Sequence, residues 1–335
     1  MLAWVNYMKN EDENNNKNRL LTTGFHFGDW LALDGINPDF PTGSTDIHFI
    51  SSAYYYYSTS ILSKAAKVLG KHEIEEKYSK LSEEIKKAII KKYFDENGNI
   101  KINTQTASAI SLFMNIIPYE KKDLIINNLR KIFKEDNYHL KTGFVGTPYI
   151  CLALSQNKSN DLAYTLLLNE DCPSWLYQVK MGATTIWEHW DSILPNGKIN
   201  GTKMNSLNHY AYGSIVEWMY KCMAGINFVE DNPGFREAIL SPKIDKRLEY
   251  IKAHYNSVVG LYKSEWKFIE NKKVIFYFEI PFNATATIIL SDIKLDNIIL
   301  NEKLLKDQIE FNYIQNNEDV HIKVNSGKYT IICKL

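Results

Sequence analysis

The sequence predicts a mainly helical domain at residues 1–232 followed by an all-β domain at 233–335. Three observations carry that division. Apolar residues recur at spacings of three and four through the first two thirds of the chain, the signature of helices with one buried face. Alternation with period two replaces that pattern after about residue 233. Turn residues then separate the apolar runs at short intervals, as in an antiparallel β-sandwich.

The elements follow in order. Residues 1–9 read as the tail of a helix, and 10–18, Asn-Glu-Asp-Glu-Asn-Asn-Asn-Lys-Asn, as a solvated loop with nothing to bury. A long helix is predicted at about 45–69, with Ile47, Ile50, Tyr54, Tyr57, Ile61, Ala65 and Val68 in register and Gly70 to end it. The next spans about 73–93, with Ile74, Tyr78, Leu81, Ile85 and Ile89 on one face, before a turn at Asp95–Asn99. Shorter helices follow at about 104–116, 118–134, 147–156 and 159–169, with Pro118 and Pro148 suited to first helical positions. A last helix is expected at 207–223, capped by Asn205 or Ser206. Paired antiparallel helices with short connections make an α-hairpin array, which closes into an α/α toroid with its site in the loops of one rim. Strands are predicted at 274–280, 285–290, 320–324 and 328–332.

Composition narrows the function. The 335 residues suit about two domains of ~150 residues. Lysine plus arginine (39) equals aspartate plus glutamate (39), so the chain has no electrostatic footprint for nucleic acid or an anionic membrane. A neutral substrate fits better. No apolar run approaches the ~18 residues of a membrane span. The start, Met-Leu-Ala-Trp-Val-Asn-Tyr, lacks the basic and apolar regions of a secretory signal, so a cytoplasmic location is expected. Cys151, Cys172, Cys222 and Cys333 lack metal-like spacing and read as buried free thiols in a reducing compartment. No phosphate-cradling glycine loop, His-Glu-x-x-His or Gly-x-Ser-x-Gly occurs, so no metal or cofactor is expected.

Three clusters join polar groups to aromatics: Phe27-Gly28-Asp29-Trp30-Leu31, Trp187-Glu188-His189-Trp190-Asp191, and Met204-Asn205-Ser206-Leu207-Asn208-His209-Tyr210. Rings offer flat apolar platforms to the C–H faces of sugars, and a carboxylate beside them can take a proton from water. Glu188, flanked by Trp187 and Trp190, suits such a base. Asp29 is a candidate acceptor for sugar hydroxyls and Trp30 a stacking ring. His209, expected in a helix's first turn, would be a neutral imidazole that both donates and accepts. The local sequence equally accommodates structural roles: a packed turn at Gly28-Asp29-Trp30, a backbone-paired carboxylate at Glu188, a satisfied histidine at 209. Tyr54–Tyr57 spread over different helix faces and read as core and rim packing.

Taken together, the chain resembles the bacterial α-L-rhamnosidases of glycoside hydrolase family 78. The matching stretches, in the same order, are Gly28–Leu31, Thr142–Tyr149 (Thr-Gly-Phe-Val-Gly-Thr-Pro-Tyr), Pro173–Tyr177 (Pro-Ser-Trp-Leu-Tyr), Gly182–Glu188 (Gly-Ala-Thr-Thr-Ile-Trp-Glu) and Met204–Gly213. The resemblance implies part of an (α/α)6-barrel with a small C-terminal β-sandwich, and inverting, metal-independent hydrolysis of terminal α-L-rhamnosyl groups. It implies Glu188 as general base and Trp30 and His209 as rhamnose contacts, with Asp29 beside them. Trp187 and Trp190 are carried as further substrate-binding candidates. The family's general acid lies in an upstream Arg-Asp-Glu-Arg-Leu-Gly-Trp-like motif that these residues lack. Met1 falls in what resembles the middle of the barrel. The expected partner is therefore a rhamnose-containing glycoside, and the N-terminal half is expected from one of three sources: a separate chain, an adjacent open reading frame, or the same gene read from an earlier start codon. The alternative expectation is a carbohydrate-binding or vestigial protein without turnover.

Overall fold

A computed structural model describes residues 1–36, 41–201, 204–270, 272–316 and 318–335. The chain divides into two compact units, Met1–Ser214 and Ile215–Leu335.

In the first unit α1 spans Leu2–Asn15, so the charged run predicted as a loop is largely helical. The reason is Asp12, only 1% exposed. Its Oδ1 accepts from the backbone N–H of Asn18 and of Arg19, each at 3.0 Å, and ties the exit of the helix into a compact turn. Helices α2 (Ile47–Val68) and α3 (His72–Tyr93) form a packed hairpin. The Asp46 side chain caps α2, accepting from His48 N at 2.7 Å and Phe49 N at 3.0 Å. The buried face of α2 differs from the predicted stripe: Phe49, Ala53, Tyr55 and Tyr56 face inward, while Ile61 and Val68 are exposed. On α3, Tyr78, Leu81, Ile85 and Ile89 are buried as the spacing predicts.

Helix α4 (Gln105–Phe113) starts at Thr104, whose hydroxyl accepts from Ala107 N. After a short 3-10 turn come α5 (Lys122–Glu135), α6 (Thr147–Gln156) and α7 (Asn160–Leu168). One further helix was not predicted. It is α8 (Trp175–Lys180), capped by the buried Ser174 through Tyr177 N at 3.0 Å. The predicted helix at 207–223 is not continuous. A 3-10 turn at Ala211–Ser214 ends the first unit, and the second opens with α9 (Ile215–Trp218) and a π turn at Met219–Met223. Residues 206–209 are already bonded to another segment, as described below, and so cannot begin a helix.

The second unit contains eleven strands among the described residues. They are β1 (Ile226–Phe228), β2 (Glu237–Leu240), β3 (Tyr250–Ser257), β4 (Gly260–Glu270), β5 (Lys273–Ile280), β6 (Thr285–Leu290), β7 (Ile298–Leu300), β8 (Lys303–Leu304), β9 (Asn312–Asn316), β10 (Asp319–Val324) and β11 (Gly327–Lys334). One sheet has the order β1-β2-β6-β10-β9, the other β3-β4-β5-β11-β7-β8. Pairing is antiparallel except between β2 and β6, which run parallel with Glu237 opposite Thr285. Alternation decides which side chains go inside. In β5, Val274, Phe276, Phe278 and Ile280 are buried while their neighbours are half-exposed. They meet Ala238, Ile288, Val320 and Ile322 from the other sheet in a single core. That shared core makes the unit a sandwich.

Candidate active site

Two of the three polar–aromatic clusters lie side by side through backbone bonding. Glu188 N donates to Ser206 O at 2.9 Å, and Ser206 N donates back to Glu188 Oε2 at 2.8 Å. His209 N donates to Ile186 O at 2.8 Å, and the Thr185 hydroxyl donates to Leu207 O. Segments 185–188 and 206–209 are thus clamped together, with Glu188 and His209 on the joined segments. From α8, the buried Gln178 spans the turn: its Oε1 accepts from Trp187 N and its Nε2 donates to His189 O, each at 3.4 Å. Glu188 is largely buried. Among the described residues it forms no ion pair, and no donor reaches its Oε1.

The third cluster joins through Asp29, but in a different role from the one expected. Asp29 is 0% exposed, so it cannot contact a sugar. Its Oδ1 accepts from Val145 N at 2.8 Å and Gly146 N at 3.1 Å. Its Oδ2 accepts from Gly143 N at 2.9 Å and from the Thr106 hydroxyl. Burial pushes this carboxyl above the ordinary aspartate range, although the four donors pull the other way. The approach of the two loops is close enough to exclude side chains. A Cβ at Gly143 would lie 2.1 Å from Trp30 O, and one at Gly146 would lie 2.2 Å from the Thr106 hydroxyl. Phe144 N completes the seam, donating to Trp30 O at 2.8 Å.

This seam delivers Phe144 to His209. The two rings stack with centroids 4.8 Å apart and planes 21° off parallel. Tyr210 stacks on the same imidazole at 5.2 Å. His209 Nδ1 accepts from Ala211 N at 3.3 Å, so in the neutral ring the proton sits on Nε2 and can be donated to a ligand. His209 is half-buried and precedes the 3-10 turn rather than opening a helix.

The tryptophans separate into two kinds. Trp187 and Trp190 are 2% and 1% exposed, which removes both as sugar platforms. Trp190 lies on Tyr212 at 4.0 Å and edge-on to Trp175 at 5.3 Å, and its Nε1 donates to Thr142 O at 3.3 Å. Their ring surface is consumed by packing. Trp30 is half-buried, set edge-on to Phe27 at 5.5 Å, and Phe27 is 62% exposed.

Sequence reasoning missed Phe144, Gln178 and Tyr212 as parts of the site. Tyr212 is fully buried, and its phenol is pushed far above its ordinary value by burial and then by the charges of Asp29, Asp191 and Glu188. Phe144 and Tyr212 stood inside quoted motifs, but nothing in their local spacing distinguished them from core residues. His189 is occupied, its Nε2 lying 2.8 Å from Met204 O. Burial, with Asp191 nearby, pushes the Cys172 thiol up to about 11. Among the described residues, no group of three or more His, Cys, Asp or Glu side chains is placed to hold a metal ion.

Comparison with known proteins identifies the family. The family described as the bacterial alpha-L-rhamnosidase 6 hairpin glycosidase domain matches residues 1–223. The bacterial alpha-L-rhamnosidase C-terminal domain matches residues 225–303. An alpha-L-rhamnosidase of Formosa agariphila is 36% identical over 287 residues, covering 85% of this chain and 30% of that protein. One from Alteromonas is 32% identical over 292 residues, covering 85% and 31% respectively. The crystal structure of Streptomyces avermitilis alpha-L-rhamnosidase complexed with L-rhamnose superposes with a TM-score of 0.86 at 29% identity, covering 99% of this chain and 30% of that one. The chain therefore spans less than a third of the length of each of these relatives. With the six-hairpin match running through all three clusters and the C-terminal match following it, this chain belongs to the bacterial α-L-rhamnosidase family.

Proposed function

We propose that this chain takes part in the hydrolysis of terminal non-reducing α-L-rhamnosyl groups from glycosides, by inversion. The observation that carries the reading is the setting of Glu188. One carboxylate oxygen is held by Ser206 N–H, and no basic partner neutralises the group among the described residues. An inverting glycosidase needs such a carboxylate to activate water, and a second carboxyl about 6.5–9.5 Å away to protonate the leaving oxygen. Glu188 is the base in this scheme. His209 Nε2–H and the half-open ring of Trp30 bind the sugar, and the neutral chain accords with an uncharged substrate. The rhamnose held by the Streptomyces avermitilis relative favours the same class of ligand.

No carboxyl within residues 1–335 is assigned as proton donor. In this reading the donor is supplied by a segment outside these residues, either on the same polypeptide or on a separate chain. The expectation is that residues 1–335 alone bind L-rhamnose by calorimetry but turn over p-nitrophenyl α-L-rhamnoside slowly. Loss of a positioned acid typically removes ~10²–10⁴-fold in rate. Adding the segment that precedes the matched region in a relative should restore turnover, and Glu188→Gln should abolish it again. Full activity in the Gln variant would remove Glu188 as the base.

A further inference from the structure

The buried Asp29 has no exposed surface, yet every bond its carboxylate accepts comes from the loop that carries Phe144, or from Thr106 behind it. Phe144 in turn is a face of the stack that holds the His209 imidazole. We propose that Asp29 is a positioning residue for His209, acting through the Gly143–Gly146 loop and the ring of Phe144. Three consequences of the geometry support this. The loop is seated so closely that a Cβ at Gly143 would meet Trp30 O and one at Gly146 the Thr106 hydroxyl, so only glycine permits this approach. Asp29 grips the loop on both sides of Phe144, at Gly143 N and Val145 N, and acts together with the Phe144 N to Trp30 O bond at 2.8 Å and the Thr142 O to Trp190 Nε1 bond at 3.3 Å to set the height of the ring. Finally, the Ala211 N to His209 Nδ1 bond is long at 3.3 Å, so it alone defines the ring plane weakly, and the stack must do the rest.

The assignment of a sugar-binding role to His209 rests on the function proposed above, whereas the coupling of Asp29 to the His209 ring does not. Imidazole ¹⁵N spectra of the full 335-residue chain separate the two. At about pH 8, well above the ~6.5 of an ordinary histidine, the native chain should give the Nε2–H tautomer for His209, assigned by its loss in His209→Gln. Asp29→Asn keeps the side-chain shape but puts an amide N–H where donors already converge. In the folded protein it should convert His209 to a mixed-tautomer signal and weaken L-rhamnose binding by about tenfold, the scale of one weakened hydrogen bond to the ligand. Thr106→Ser, which keeps the hydroxyl, should retain native behaviour, and Thr106→Val, which removes it, should give an intermediate one.

A merely structural Asp29 would lower the melting temperature but leave the His209 spectrum of the folded chain untouched, and that result overturns the proposal. If Asp29→Asn does not fold, Phe144→Leu and Thr106→Val decide the two links separately. An unchanged His209 tautomer in both, with the fold retained, also overturns it. If the native chain shows the single tautomer but no L-rhamnose binding, the functional reading fails while the positioning role stands on the spectra.

Discussion

At the scale of single residues, burial decided roles that composition left open. Trp187, Trp190 and Asp29 all belong to motifs that suggest sugar contacts, and all three are sealed inside the protein. A motif records that a residue is needed, not which way it faces. Glu188 and His209 stood out in the sequence because few residue types can perform the chemistry proposed for them, and the structure brings their segments together. Phe144 was not, since a phenylalanine in a glycine-rich loop looks like any packed ring until its neighbour is known. Charge pairs at this scale carry a pH signature. Arg130 donates to both oxygens of Asp161, at 3.0 and 2.6 Å, and its guanidinium holds that carboxyl below the usual aspartate range. The folded value is depressed, so the stabilisation is present above the unfolded pKa of ~3.9 and is lost as pH falls through the folded value. The pair is substantially exposed, and its contribution is under ~1 kcal/mol. Asp161→Asn should therefore lower stability slightly at neutral pH and not at all at the lowest pH where the chain remains folded. Urea midpoints measured across that range give the comparison, and a pH-independent difference would contradict the assignment.

At the scale of elements, periodicity found what packing rewards. Helix α3 and strands β5, β6, β10 and β11 follow their predicted patterns closely, because each buries one continuous face or one alternate set. Where local bonds rather than faces fix the backbone, the sequence misled. The end of α1 is set by Asp12, and the segment before Ala211 by its pairing to residues 185–188. Helix α8 is too short for periodicity to register. Strands β3 and β4 were also missed, though they hold one of the largest buried side chains of the sandwich. Trp266 in β4 is almost fully buried and donates from Nε1 to Met223 O at 2.9 Å. Trp266→Ala removes that bond and opens a cavity in the core. The expected loss is ~3–5 kcal/mol, read as a drop in the urea midpoint by circular dichroism. A change below ~1 kcal/mol would mean that the sandwich core tolerates collapse at this position.

At the scale of the whole chain, the helix-then-strand order was plain in the sequence, because the change of period is abrupt. Sequence alone could not show how segments distant in the chain converge, since contacts between the Asp29 loop, residues 142–147 and the Glu188 turn leave no periodic trace. The reaction proposed for this scale has a stereochemical readout. A reconstituted enzyme acting by inversion should release β-L-rhamnose first from an α-L-rhamnoside, seen as the initial anomeric proton signal before mutarotation. Initial release of the α anomer would require a covalent intermediate and a different role for Glu188. The close seating of Gly143 against the Trp30 carbonyl has a consequence for how such proteins diverge. The two loops are cut to fit one another like a key and its ward, so neither can be exchanged alone. A chimaera that borrows the Gly28–Leu31 segment from a distant relative should need that relative's Thr142–Thr147 loop as well, and the pair would be inherited as one module although helices α2 to α5 lie between them in the gene.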